Sequence, residues 1–206
     1  MGFFAVRTSA VGVALTAALW VFALGAAAAA QNEAARFVKS LGDEAIEVLN
    51  ASDASEEQRK IRFRSLLDQG FAVDTIARFV IGRYWRAATP QQRQEYMSLF
   101  REFVLDTYAR RLDGYSGETF DIIKSLPIDE TDTMVSTEIV RRNGPPIRVD
   151  YRVRIRNDGH RIVDVIVEGI SLVITQRAEF ASVINRKGLD GLLAVLREHQ
   201  AGGGSE

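Results

Sequence analysis

Two carboxylates, Asp164 and Glu168, come closest in this chain to a catalytic pair. They stand four residues apart in a predicted strand, so both side chains are expected on the same face of the sheet. Two carboxyl groups on one face can carry out acid–base hydrolysis, as they do in glycosidases. We prefer the simpler interpretation, in which both carboxylates pair with arginines across the sheet, Arg152 and Arg154 among them.

The other residues capable of chemistry match no catalytic or metal-binding spacing. His160 and His199 have no second His or Glu at ligand spacing, and both are predicted to be exposed and without a role. The chain has no Gly-x-Ser-x-Gly elbow and no phosphate-binding loop ending in Gly-Lys-Ser/Thr. It has no cysteine, which excludes disulfides, thiolate metal sites and a lipidated N-terminal cysteine. We therefore predict no catalytic residue, no metal and no cofactor.

Residues 1–30 are predicted to be a secretory signal peptide rather than part of the fold. Arg7 supplies a short positive region, residues 11–24 are an apolar run too short for a comfortable membrane span, and residues 25–30 offer small-residue cleavage sites. We predict cleavage near Gln31, with an uncleaved anchor as the alternative. The rest is then a single domain over 31–200 with a flexible tail over 201–206, secreted most simply to a bacterial periplasm.

The charge balance argues against a nucleic-acid partner. The chain has 26 basic and 27 acidic residues, and loss of Arg7 with the signal leaves a net charge of about −2. Nucleic-acid binding requires a clear basic excess or patch. The mature length of about 176 residues suffices for one domain with a sizeable core.

Helical patterns occupy the first half of the mature chain. Thr89-Pro90-Gln91-Gln92 predicts the start of a long helix that runs to about Leu112. Before it, residues 71–85 are rich in large apolar side chains. Asp74 is predicted to cap a helix that turns Phe79 inward, and Gly82 to end that helix. This segment is interpreted as an aromatic corner of the core, with a ligand wall as the alternative.

The second half reads as antiparallel strands. In residues 147–156 apolar and polar residues alternate without exception, which predicts one buried face and one wet, basic face. Residues 161–175 would span about 50 Å as one straight strand, so Gly169 is predicted to bend it. Two amphipathic helices separated by Gly188 follow.

The predicted fold class is therefore α+β, with N-terminal helices packed on a twisted antiparallel sheet of about four strands and closing helices at the C-terminus. An apolar sheet face under amphipathic helices can bury a filled core or enclose a cavity. Periodicity does not distinguish these two interiors.

Two stretches resemble the signatures of a known family. The first is FAVDTIARFVIGRYWR at 71–86, followed by a Thr-x-x-Gln helix start. The second is DVIVEGISLV at 164–173, followed by Arg177-x-x-Phe180 and by GLDGL at 188–192. In order and spacing they are similar to the MlaC/toluene-tolerance family, over essentially the whole mature chain. The hopanoid-associated HpnM branch is also similar.

That resemblance implies a soluble periplasmic lipid carrier. Such proteins hold phospholipid acyl chains between a twisted sheet and helices. They pass the lipid between an outer-membrane lipoprotein–porin complex and an inner-membrane ABC transporter with an MCE-domain protein. The resemblance thus implies phospholipid as cargo, an apolar cavity inside the domain and no cofactor. A hopanoid or another apolar lipid remains an alternative cargo.

For the wall of this cavity we predict inward strand positions and aromatic residues of the helices. They are Phe79, Tyr84, Trp85, Phe100, Phe103, Val135, Ile139, Val149, Tyr151, Val153, Val165 and Val167. Two other classes of function stay open: an adaptor that binds partner proteins without lipid, and the carboxylate hydrolase. A continuous internal cavity would favour the carrier over the adaptor, and an open cleft lined by Asp164 and Glu168 would favour the hydrolase.

Overall fold

A computed structural model of the chain describes residues 32–48, 50–51, 54–112 and 117–202. The predicted signal peptide and residues 203–206 of the predicted tail lie outside this part of the chain. In order, the elements are α1 (residues 32–48), α2 (Glu56–Gly70), α3 (Val73–Ile81), α4 (Arg83–Ala87), α5 (Pro90–Leu112), β1 (Thr119–Pro127), β2 (Asp132–Val140), β3 (Ile147–Arg156), β4 (Gly159–Val167), β5 (Ile170–Ser171) and α6 (Leu172–Gly202).

The strands form one antiparallel sheet in the order β1-β2-β3-β4-β5, each paired with its neighbour in sequence. This confirms the predicted α+β class with helices first and a helix closing the C-terminus. The sheet has five strands rather than about four, because a two-residue strand pairs back on the end of β4. The predicted break at Gly188 is also present, since its φ of 71° and ψ of 178° kink α6.

Two helix starts follow from local capping. In α2, Ser55 and Gln58 exchange the two bonds of a capping box. At the start of α5, the Thr89 backbone N–H donates to Gln92 Oε1 at 3.0 Å, and the Gln92 N–H donates to Thr89 Oγ1 at 3.1 Å. Both bonds are short-range, which is why the sequence alone predicts the start of α5 correctly.

The predicted cap of α3 is wrong. Ala72 is the cap residue, and Asp74 lies in the first turn, where it pairs with Arg101 of α5 at 3.1 Å. The helix begins early because the Ala72 N–H donates to the carbonyl of Ile162 on β4 at 2.9 Å, which fixes the entry of the chain. A contact with a distant strand thus overrides the local capping signal.

The predicted bend at Gly169 is replaced by a turn. β4 ends at Val167, and Glu168 (φ 48°) and Gly169 (φ 82°) form a tight turn that leads into β5. Residues 172–175, predicted as strand, belong to α6. Bulges bend the sheet instead, at Ile123 in β1 and Val163 in β4, where each pairing register skips one residue.

The outer face of β3 is less uniform than its alternation predicts. Asp150 is buried although it belongs to the expected wet face, because the Arg148 guanidinium covers it at 3.1 Å. Ile155, expected on the buried face, is 43% exposed near the end of the strand.

Arg152 and Arg154 form no ion pair with Asp164 or Glu168, the partners predicted for them. They converge on Asp132 of β2 at 2.5 and 2.6 Å.

In the part of the chain that the structure describes, most buried apolar side chains belong to two clusters. The helical cluster joins α3, α5 and α6 around Tyr96, whose hydroxyl donates to the Ala77 carbonyl at 2.9 Å. The sheet cluster is smaller and packs α1 on the inner face of the sheet; its buried members are Ala34, Val38, Val135, Val153 and Ile162. Phe71 packs against both clusters, so the space beside it lies between them.

Candidate ligand-binding cavity

A cavity of about 420 Å³ lies between the helices and the inner face of the sheet. Ligand pockets in proteins have volumes of roughly 300–1,000 Å³, so this space suits a ligand rather than a packing defect. Its wall includes residues of α1, α2, α3 and α5, of the inner sheet face and of the first turns of α6. The interior is therefore hollow between two packed clusters.

The cavity wall is almost wholly apolar. Polar side chains reach it at only three of the lining residues, Tyr151, Asp164 and Gln176. The Asp164 carboxylate accepts hydrogen bonds from Ser171 Oγ at 2.6 Å and from the Val173 N–H at 3.3 Å, so it joins β4 to the start of α6. Gln176 Nε2 donates to Glu179 at 3.2 Å. This wall suits a hydrocarbon ligand, because apolar burial drives binding and the carboxylate in the wall, Asp164, is hydrogen-bonded within the protein.

The structure brings one group of the predicted lining residues together around the cavity. They are Phe100, Phe103, Ile139, Val149, Tyr151, Val165 and Val167. Two come from α5 and the others from β2, β3 and β4. The strand members share the inner face, and α5 places its two phenylalanines opposite them.

The other predicted lining residues lie outside the cavity. Val135 and Val153 are fully buried in the sheet cluster, because α1 packs on that end of the sheet and covers them.

Phe79 is 46% exposed rather than inward, with the Arg177 guanidinium 4.7 Å from its ring. Tyr84 donates to Asn185 at 2.5 Å on the outer side of the helical cluster. Trp85 lies between two arginine side chains at 5.3 and 5.5 Å.

Many wall residues escaped the sequence-based prediction. They are Val38, Leu41, Gly42, Ala45, Phe63, Leu66, Leu67, Phe71, Val73, Ile76, Val80, Val104, Phe120, Asp164, Leu172, Val173 and Gln176. Most are apolar positions of amphipathic helices. Helical periodicity identifies such positions as inward-facing, but it gives the same signal for a cavity wall and for a filled core.

The carboxylates proposed for hydrolysis do not form a pair in the cavity. Asp164 is in the cavity wall. Glu168 lies in the turn after β4, outside the wall, and its carboxylate accepts a hydrogen bond from the Arg148 backbone N–H at 2.6 Å.

The prediction that both histidines are exposed is wrong. The His160 ring packs 5.9 Å from Phe37, and the half-buried His199 lies 5.1 Å from the Phe103 ring and 4.0 Å from Asp106.

Within the described ranges, no three His, Asp or Glu residues are grouped so that they could hold a metal ion. None of the helices in the same part of the chain is long and apolar enough to span a membrane.

The architecture defines the class: an α+β domain in which helices and a five-stranded meander enclose an apolar cavity. A family model described as "MlaC protein" matches residues 39–198, and the chain belongs to this family.

Two curated proteins and one solved structure are similar to it. The chain is 22% identical over 123 residues to the intermembrane phospholipid transport system binding protein MlaC of Haemophilus influenzae, covering 58% of each chain. It is 26% identical over 108 residues to the toluene tolerance protein ttg2D of Pseudomonas putida, covering 52% of this chain and 50% of that protein. The matched region thus spans only about half of the length of these curated relatives.

The structural match is more extensive. A phospholipid-binding protein from Ralstonia solanacearum, solved in complex with a phospholipid, superposes with a TM-score of 0.73 at 26% identity. The match covers 84% of this chain and 99% of that one.

Proposed function

We propose that this chain is a lipid carrier that holds the acyl chains of a phospholipid in the cavity between its sheet and its helices. The observation that carries the proposal is the apolar space of about 420 Å³, which belongs to a fold also found in a protein solved with a phospholipid. Burial contributes roughly 0.8 kcal/mol per methylene, so acyl chains alone supply ample affinity. The cavity also supports a carrier over a lipid-free adaptor, which would need only a filled core.

The proposal includes a route for the lipid. The chain is secreted to a periplasm after cleavage near Gln31. There it moves phospholipid between an outer-membrane lipoprotein–porin complex and the MCE-domain protein of an inner-membrane ABC transporter. The carrier itself is passive, and the direction of transfer depends on whether the carrier or its partner binds the lipid more tightly. A hopanoid carried in the same cavity is the alternative cargo.

Native mass spectrometry of the protein, purified from a periplasm without detergent, tests the carrier function. We expect a bound mass that extracts as phospholipid. A hopanoid-like mass would change the cargo and keep the carrier. A lipid-free mass that persists after incubation with liposomes would contradict the proposal and favour the adaptor.

The denatured protein from the same sample tests the secretion step. Its intact mass is expected to correspond to a chain that starts near Gln31. A mass that retains residues 1–30 would contradict cleavage and would leave the cargo result intact.

A further inference from the structure

The Tyr151 side chain is a polar group in the cavity wall. Its ring packs edge-on against Phe120, with centroids 6.1 Å apart. Unlike the carboxylate of Asp164 and the amide of Gln176, its hydroxyl makes no hydrogen bond to any described residue. Tyr151 is half-buried, and a lipid that fills the cavity would cover its hydroxyl. A hydroxyl buried without a partner is costly, so this group marks a place where a ligand atom can complete the bonding.

Burial also keeps this hydroxyl in its donor form. It raises the pKa of Tyr151 to about 12, because the phenolate would lose its solvation inside the cavity. The side chain therefore presents an O–H donor throughout the physiological pH range. Since a hydroxyl also has lone pairs, the chemistry of the ligand decides whether Tyr151 donates or accepts the hydrogen bond.

The position of Tyr151 along β3 places this donor beside the interior of the cavity. Val149, two residues earlier, lines the cavity, whereas Val153, two residues later, is buried in the closed sheet cluster. Successive inward residues of a strand are roughly 7 Å apart. Tyr151 therefore occupies the row next to the closed end, and its cross-strand partner Val165 is also in the wall.

We infer that the Tyr151 hydroxyl donates a hydrogen bond to an ester carbonyl of the bound lipid and thereby selects ester-linked lipids. This inference rests on the proposed function and adds a chemical class to it. In a phospholipid, the acceptors nearest to the acyl chains are the two ester carbonyls, so they are the oxygens that accompany the chains into an apolar cavity. A dialkyl ether lipid lacks these carbonyls, and so does a polycyclic hydrocarbon.

A competition experiment tests the inference. The purified protein is incubated with vesicles that contain equal amounts of a diacyl phosphatidylglycerol and its dialkyl ether analogue of the same chain length. The two complexes are then quantified by native mass spectrometry. For the unchanged protein we expect a roughly threefold to tenfold excess of the diester complex, as one net hydrogen bond provides. Tyr151→Phe is expected to remove this excess.

The substitution is mild, because phenylalanine fills nearly the same space and the hydroxyl has no hydrogen bond to a described residue to lose. Tyr84→Phe is the matched control: it removes a tyrosine hydroxyl outside the cavity, where the partner is Asn185, and should keep the diester excess. Isotope-edited infrared spectra give a second measurement. The ester carbonyl band of the bound diester should shift to higher frequency in Tyr151→Phe and stay unchanged in Tyr84→Phe.

Two results would overturn the inference while leaving the carrier function intact. One is equal loading of diester and diether lipid in the unchanged protein. The other is a diester excess that persists in Tyr151→Phe. If neither lipid binds to the unchanged protein, the carrier proposal fails together with the inference.

Discussion

Arg152 and Arg154 hold the carboxylate of Asp132 from the outer side of the sheet. The Asp132 side chain has no exposed area, and its two partners approach to 2.5 and 2.6 Å. The hydrogen bond from Arg154 is the largest influence that lowers the pKa of Asp132 below its usual value of 3.8, and Arg152 acts in the same direction against the cost of burial. This carboxylate therefore stabilises the fold in its ionised form.

Asp132→Asn is expected to destabilise the protein by about 1.5–3 kcal/mol at neutral pH, because it removes charge-assisted hydrogen bonds. The pKa of Asp132 is lower in the folded chain than in the unfolded chain. Its stabilising contribution is therefore complete above the unfolded value and is lost as the pH falls through the folded value. Urea denaturation at pH 7 and at pH 3 should show a smaller difference between the two proteins at pH 3. An undiminished difference at pH 3 would contradict this account.

Val167 is a residue of the cavity wall at which a large side chain should obstruct the cavity. It is half-buried at the end of β4 and lines the cavity. In Val167→Trp the indole should occupy space otherwise filled by acyl chain, and the loss of two buried methylenes weakens binding more than about tenfold. We expect a correspondingly lower bound-lipid fraction by native mass spectrometry, with the thermal midpoint of the lipid-free protein nearly unchanged.

Ile155→Trp is the control for this substitution, because Ile155 is 43% exposed on the same sheet and outside the cavity. It should keep full lipid occupancy. Full occupancy in folded Val167→Trp would exclude Val167 from the binding surface. Val153→Trp does not serve the same purpose: Val153 is 1% exposed in the sheet cluster, so a tryptophan there overpacks the core and destabilises the fold.

At the scale of the elements, the connection between α3 and α4 depends on Gly82. Gly82 has φ 51° and ψ −118°, a conformation that residues with a side chain rarely adopt. A Cβ at this position would lie 2.9 Å from Arg177 Nη2. Arg177 in turn donates to the Phe79 carbonyl at 2.9 Å, so it ties α6 to the end of α3.

Gly82→Ala is therefore expected to destabilise the fold by about 1–3 kcal/mol through backbone strain, with an added cost from the clash. Thermal denaturation of Gly82→Ala, Arg177→Ala and the double variant separates the two effects. If the clash contributes, the double variant should be more stable than the sum of the single effects predicts. Strict additivity would leave strain as the whole cause, and an unchanged midpoint in Gly82→Ala would contradict both.

For the whole molecule, the hollow interior links stability to the cargo. The two buried clusters meet around an unfilled space, so a ligand that binds only the folded chain should stabilise it. At a free lipid concentration about 100 times the dissociation constant, this gain is about 2.7 kcal/mol. For a domain of this size the melting temperature should then rise by roughly 5–10 °C.

Differential scanning calorimetry of the lipid-free protein, with and without phospholipid, measures this shift. The water-soluble head group without acyl chains is the control and should leave the melting temperature unchanged, since the cavity wall offers burial to hydrocarbon. An equal shift with the head group alone would mean that the acyl chains do not occupy the cavity.

The sequence by itself determined those features that depend on neighbours in the chain. The capping box at Thr89 and Gln92 rests on local hydrogen bonds, and the break at Gly188 rests on the backbone of one residue, so both are present in the structure. The strand predicted from the alternation of residues 147–156 is also present as β3. They sufficed for the α+β class and for the order of its elements.

Only the tertiary structure decided which inward residues surround the cavity. Val149, Tyr151 and Val153 alternate identically along β3, yet the first two line the cavity and the third is packed beneath α1. The difference depends on where a distant helix lies across the strand, and periodicity has no information about that. Long-range contacts likewise made Ala72 the cap of α3 and brought Arg152 and Arg154 to Asp132, because partners far apart in sequence leave no local signal.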